Sequence, residues 1–127
     1  MLSKIFLGGM GLVFAGYGLV CLFVPATLAD LTGMGLASEV AEVEVRAMYG
    51  GLQFAVGALA LAAALRPELE RTALITFCFL FAGLAGARLF GIALASDAGS
   101  YNLAACAFEL ASLALSFVLL RRSPQVA

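Results

Sequence analysis

Apolar positions in this chain neither alternate nor keep to one helical stripe; they run on in four long blocks broken by turn residues or charges. Each block is close to the roughly 20 residues that an α-helix needs to cross a hydrocarbon core of about 30 Å. The pattern predicts spans over about residues 5–24, 43–65, 72–95 and 101–120. Pro25 stops the first and Arg66-Pro67 the second, because proline lacks an N–H and restricts the residue before it. Pro67-Glu68-Leu69-Glu70 reads as the short second connection, and Ser96-Asp97-Ala98-Gly99-Ser100 as a turn-rich third. Membrane strands would show a two-residue alternation that these runs lack. The expected fold is all-α: one four-helix transmembrane bundle over residues 1–127.

Composition agrees. Of 127 residues, 64% are hydrophobic and 12% charged, with a mean hydropathy of +1.09. Soluble domains carry roughly 45–50% apolar and about 25% charged residues, so the lipid bilayer is the expected environment. Seven basic and eight acidic residues give a net charge of −1, which excludes the basic stripe that binds nucleic acid. With no histidine and three scattered cysteines, the common histidine-based metal, haem and acid–base sites are excluded, and no metal site is expected.

Four crossings put Lys4, Arg66, Arg71, Arg121 and Arg122 on one side, which the positive-inside rule makes cytoplasmic. Both termini are therefore expected there, in a bacterial inner membrane, with Asp30, Glu39, Glu42 and Asp97 on or near the opposite side. Thr27-Leu28-Ala29 resembles a signal cleavage site. The apolar stretch before it exceeds a signal core of about 7–15 residues, so it is read as a retained span. Between the first two spans, Leu28, Leu31, Met34 and Leu36 alternate with polar residues and glycines, as in a short amphipathic turn at the interface.

Small residues supply the packing surfaces. Gly8, Gly11, Ala15 and Gly18 form one stripe along the first helix. Gly50, Gly57, Ala60 and Ala64 in the second span, and Gly83, Ala87 and Gly91 with Ala82 and Gly86 in the third, offer comparable stripes. In lipid, close approach at such residues is what holds helices together. The stripes serve packing within the bundle or a homodimer seam.

Ionisable residues inside the spans are the candidate chemistry, since each costs roughly 2.5–3.5 kcal/mol near a span centre and needs a partner or a watery cavity. These are Glu44, Arg46, Arg88 and Glu109. At about 1.5 Å rise per residue they fall within about 12 Å of the same, non-cytoplasmic end. An α-helical count places Glu42, Arg46, Tyr49 and Gln53 on one face of the second helix, and Asn102, Cys106, Glu109 and Ser116 on one face of the fourth. Arg46 and Arg88 can then face Glu109 and either Glu42 or Glu44, arginine holding carboxylates bidentately. Two readings stand: buried ion pairs that fix helix register, or a polar cavity that binds a headgroup or carries protons. Cys21, Cys78 and Cys106 form no paired motif. A Cys21–Cys106 bond would require the first and fourth helices to adjoin.

The string Glu44-Val45-Arg46-Ala47-Met48-Tyr49-Gly50-Gly51-Leu52, an E-x-R-A-x-Y-G-G-L pattern, resembles the hallmark of the bacterial membrane family called domain of unknown function 4345. The glycine-rich first span ending at Pro25, Leu31-Thr32-Gly33, Ala87-Arg88-Leu89-Phe90-Gly91 and Glu109-Leu110 fit the same resemblance, which covers nearly the whole chain. It implies a four-helix membrane protein, similar in size and layout to the broader DoxX-like group. It places Glu44, Arg46, Tyr49, Gly50, Gly51, Arg88 and Glu109 at motif positions and brings no activity or cofactor with it.

No nucleophile, acid–base pair or cofactor site is visible, so the expectation leans away from an enzyme. The leading expectation is a non-catalytic accessory or scaffold subunit of a larger membrane complex, or a small-ligand binder. The alternative is a transport, proton-relay or quinone- or lipid-binding unit with Arg46, Arg88, Tyr49, Gln53 and Glu109 lining the site.

Overall fold

The computed structural model describes residues 1–96 and 98–123. Asp97, expected in the third connection, and residues 124–127 lie outside them. The described residues are almost entirely helical: α1 (Leu2–Phe23), α2 (Ala26–Thr32), α3 (Glu39–Leu65), α4 (Pro67–Leu94) and α5 (Gly99–Arg122). Four of these, α1, α3, α4 and α5, are long and apolar enough to cross a membrane. Each of the four begins before its expected span. Most notably, Pro67-Glu68-Leu69-Glu70 is the first turn of α4 and not a loop. Proline is pre-organised for the first helical position, where its missing N–H is not needed, and acidic residues suit a helix N-terminus. The chain forms two compact units, Met1–Leu69 and Glu70–Ala127.

In the first unit, α1 and α3 pack antiparallel with their backbones nearly in contact. Gly8 lies opposite Ala64, Gly11 opposite Leu61, Ala15 opposite Gly57, Gly18 opposite Phe54 and Leu22 opposite Gly50. Each advance of three or four residues on α1 is matched by an equal retreat on α3, so one unbroken seam joins them. A Cβ at Gly18 would lie 2.5 Å from the Phe54 amide nitrogen and 2.8 Å from the Gly50 carbonyl oxygen, and one at Gly57 would strike the backbone of Ala15. Glycine is required at these points because the neighbour is backbone and cannot rotate away.

The link between α1 and α3 contains a helix where the sequence predicts a turn. The left-handed Gly33 (φ +72°) ends α2, a conformation that glycine adopts without steric cost. Thr32 Oγ1 donates to the Leu28 carbonyl at 2.7 Å and accepts from the Met34 amide at 3.3 Å. Leu28 is buried with Cys21 and Val45, and Tyr17 and Leu36 pack against them. Leu31 and Met34 point outward. The Ser38 hydroxyl then caps α3 by accepting from the Ala41 amide at 3.2 Å.

Within the second unit, α4 and α5 meet through larger side chains. Phe77 stacks on Phe81 with ring centroids 5.5 Å apart, and Phe81 meets Phe108 edge-on at 5.9 Å. Phe79, on the far side of α4, is exposed. The small-residue stripe expected to pack on this helix takes no such part in the unit: no atom lies within 4 Å of a Cβ built at Gly83, Gly86 or Gly91. Gly83 and Gly86 lie on a different face of α4 from the contact residues Phe77, Phe81 and Arg88. On α5 the expected polar face is the buried one, with Cys106, Glu109, Ser112 and Ser116 turned inward.

Candidate functional site

Each unit holds one arginine–glutamate pair. In the first, Arg46 lies 3.6 Å from Glu42, one helical turn earlier, and also donates through Nη1 to the carbonyl of Leu22 near the C-terminus of α1. The last carbonyls of a helix lack intrahelical donors and carry its partial negative charge, so a guanidinium there satisfies both. Of the two carboxylates open to Arg46 in the sequence, the structure selects Glu42; Glu44 is exposed. Both members of the pair are themselves substantially accessible, with side-chain exposures of 38% and 47%.

Arg46 also begins a π-helical turn, Arg46–Gly51, set into an otherwise α-helical α3. A π turn closes with i→i+5 hydrogen bonds, so the α-helical count does not carry across it. The predicted stripe is therefore interrupted. Glu42 and Arg46 stay together, but Tyr49, within the π turn, is exposed, and Gln53, beyond it, is half-buried. Gly50, also within the turn, faces Leu22 of α1.

The second pair is tighter and deeper. Arg88 Nε lies 2.9 and 3.1 Å from the two Glu109 carboxylate oxygens, and its Nη2 is 2.7 Å from Oε1. This side-on geometry is the bidentate mode that makes arginine–carboxylate pairs strong and directional. The Glu109 side chain is 6% exposed and that of Arg88 23%. Asn102, one helical turn from Cys106, accepts from Arg88 Nη1 at 2.8 Å through Oδ1 and donates from Nδ2 to the Ala98 carbonyl at 2.9 Å. The Tyr101 ring lies 5.9 Å from the guanidinium carbon, within reach of a cation–π contact.

Asn102 was visible in the sequence as a member of the α5 polar face, but not as an Arg88 partner. Tyr101 gave no signal at all, because the pairing depends on how α5 is rotated against α4. Beside this group opens a cavity of about 290 Å³ lined by Arg88, Gly91, Ile92, Ala95, Ala98 and Asn102. Its lining combines the polar Arg88 and Asn102 with small or aliphatic residues. Arg88 has five N–H donors; three are engaged by Glu109 and Asn102, which leaves one on each Nη without a partner among the described residues.

The sequence profile described as domain of unknown function (DUF4345) matches residues 2–120. The chain belongs to the DUF4345 family. The DUF4345 match takes in both arginine–glutamate pairs and the E-x-R-A-x-Y-G-G-L string, the core of which is the π turn of α3. No curated protein and no solved structure matches this DUF4345 chain.

Proposed function

We propose that this DUF4345 protein is a non-catalytic, membrane-embedded binder of a small amphipathic molecule, with its site at the Arg88–Asn102 cavity. The cavity itself carries the reading: about 290 Å³ of space beside a guanidinium that is fixed on one edge and keeps donors on the other. Ligand pockets combine apolar walls with a few convergent polar groups and begin near about 300 Å³, so this one takes a headgroup and leaves a tail in lipid. A buried pair with a register role alone would have no need of the adjoining space.

In this reading the four long helices span a bacterial inner membrane, with both termini cytoplasmic. The test is purification of the tagged protein in mild detergent, with mass spectrometry of retained small molecules and proteins. Gly91→Leu is the matched variant. Gly91 lines the cavity and an added Cβ there meets nothing within 4 Å, so the position accepts a side chain, and leucine is the substitution expected to occupy the space. A retained molecule that is lost in Gly91→Leu is the expected result. A stoichiometric protein partner, with no small molecule in either form, would instead make the chain an accessory subunit. The face of α4 bearing Gly83 and Gly86, which is open within its hairpin, favours that second reading.

A further inference from the structure

We infer that the group recognised in the Arg88–Asn102 cavity is an uncharged carbonyl oxygen, of the ester or quinone class, and not an anion; this rests on the proposed binding function. Three observations lead there. First, the Arg88 charge is already matched by Glu109, whose carboxylate takes both Nε and Nη2 and is itself 6% exposed. An anion entering the cavity would meet a pair with no net charge and would bring an uncompensated charge out of water, which is costly in a low-dielectric site.

Second, the groups left to a ligand are mostly donors. One N–H on each Nη lacks a described partner, and Asn102 keeps the second N–H of Nδ2 beside the one given to Ala98. The site therefore asks for an acceptor oxygen. A hydroxyl or amine donor would find only the second lone pair of Asn102 Oδ1 in the lining, against three N–H donors. Third, the rest of the lining, Gly91, Ile92, Ala95 and Ala98, is small or aliphatic. That surface suits the carbon skeleton attached to a carbonyl.

Glu109 thereby acts as the specificity determinant: it converts a cationic side chain into a neutral double donor. Removing its charge while keeping its shape should turn the same cavity into an anion site. The test compares three probes in detergent by native mass spectrometry: the methyl ester of a long-chain fatty acid, a short-tailed benzoquinone, and the free fatty-acid carboxylate. The first two distinguish a lipid ester from a quinone as the source of the carbonyl, and binding of either supports the inference. In the unaltered protein at least one carbonyl probe binds and the carboxylate does not. In Glu109→Gln the carboxylate gains about tenfold or more in affinity, the scale of one charge-assisted hydrogen bond.

Gly91→Leu should abolish binding of every probe that uses the cavity, and it keeps the inference testable if Glu109→Gln does not fold. Carboxylate binding to the unaltered protein that is lost in Gly91→Leu would overturn the carbonyl assignment and leave the binding function standing. Absence of binding by any of the three, or binding indifferent to Gly91→Leu, would overturn both.

Discussion

Arg88 and Glu109 show what a single pair of side chains can determine in an apolar chain. Their three contacts between 2.7 and 3.1 Å tie α4 to α5 at one rotation and one height, because a bidentate bond tolerates little sliding. Arg88→Ala and Glu109→Ala should each lower stability by about 1–3 kcal/mol, the usual cost of leaving a buried polar partner unpaired. The double substitution should cost less than the sum by about 1 kcal/mol or more, as expected for residues in direct contact. Thermal unfolding of the four proteins in detergent measures this, and strict additivity would show that the two are not coupled. Both residues were legible in the sequence, since ionisable side chains stand out in such apolar helices. Their shared partner Asn102 was legible only as a polar position, because a hydrogen bond depends on two helices' relative rotation. The choice of Glu42 over Glu44 for Arg46 was likewise left open, as both lie near enough in sequence and only the helix phase separates them.

At the scale of the helices, the two hairpins use different means to hold together. Along α1 and α3 the seam is backbone against small residues, and along α4 and α5 it is aromatic rings and a polar group. Gly57→Ala should destabilise the protein by about 1–3 kcal/mol, the cost of overpacking a tight site, because its Cβ would meet the Ala15 backbone. Gly83→Ala should be neutral or stabilising by up to about 1 kcal/mol, since alanine is the better helix former and an added Cβ there meets nothing within 4 Å. Equal losses from the two substitutions in the same unfolding assay would contradict this contrast. The sequence identified glycine stripes on all three helices but could not say which were used, for a stripe records only an opportunity for close approach. Nor could it reveal the π turn at Arg46–Gly51. That turn spoils the 3.6-residue count, and so the single polar face expected from Glu42 to Gln53 does not form.

For the whole molecule, the informative charges lie at helix ends. Arg66 alone separates α3 from α4, and Arg71 reaches the Leu120 carbonyl near the end of α5 at 3.5 Å. Arg121 lies over the Phe117 ring at 4.4 Å. With Lys4 and Arg122 these make the basic set for which we propose a cytoplasmic location on the positive-inside rule. Single cysteines replacing Lys4, Arg66 or Arg122 should therefore react with an impermeant thiol reagent only after the membrane is opened. Reaction of any of them in intact cells would reverse the orientation. The long apolar helices were plain from the sequence because length and hydrophobicity suffice for them. The helix within the first connection was not, since seven residues from Ala26 to Thr32 are too few for a periodic signal.

The evenly stepped seam between α1 and α3 also bears on how the chain is made. Every contact in it joins residues between Gly8 and Ala64, with α2 and its Leu28 tucked against the same hairpin. Synthesis runs from the N-terminus and domains fold as they emerge. The first hairpin needs no residue beyond Arg66 for its close contacts, so it can complete them as soon as α3 clears the ribosomal exit tunnel. A translation pause late in the chain would thus leave a finished pair of helices outside the tunnel with the second pair still to come.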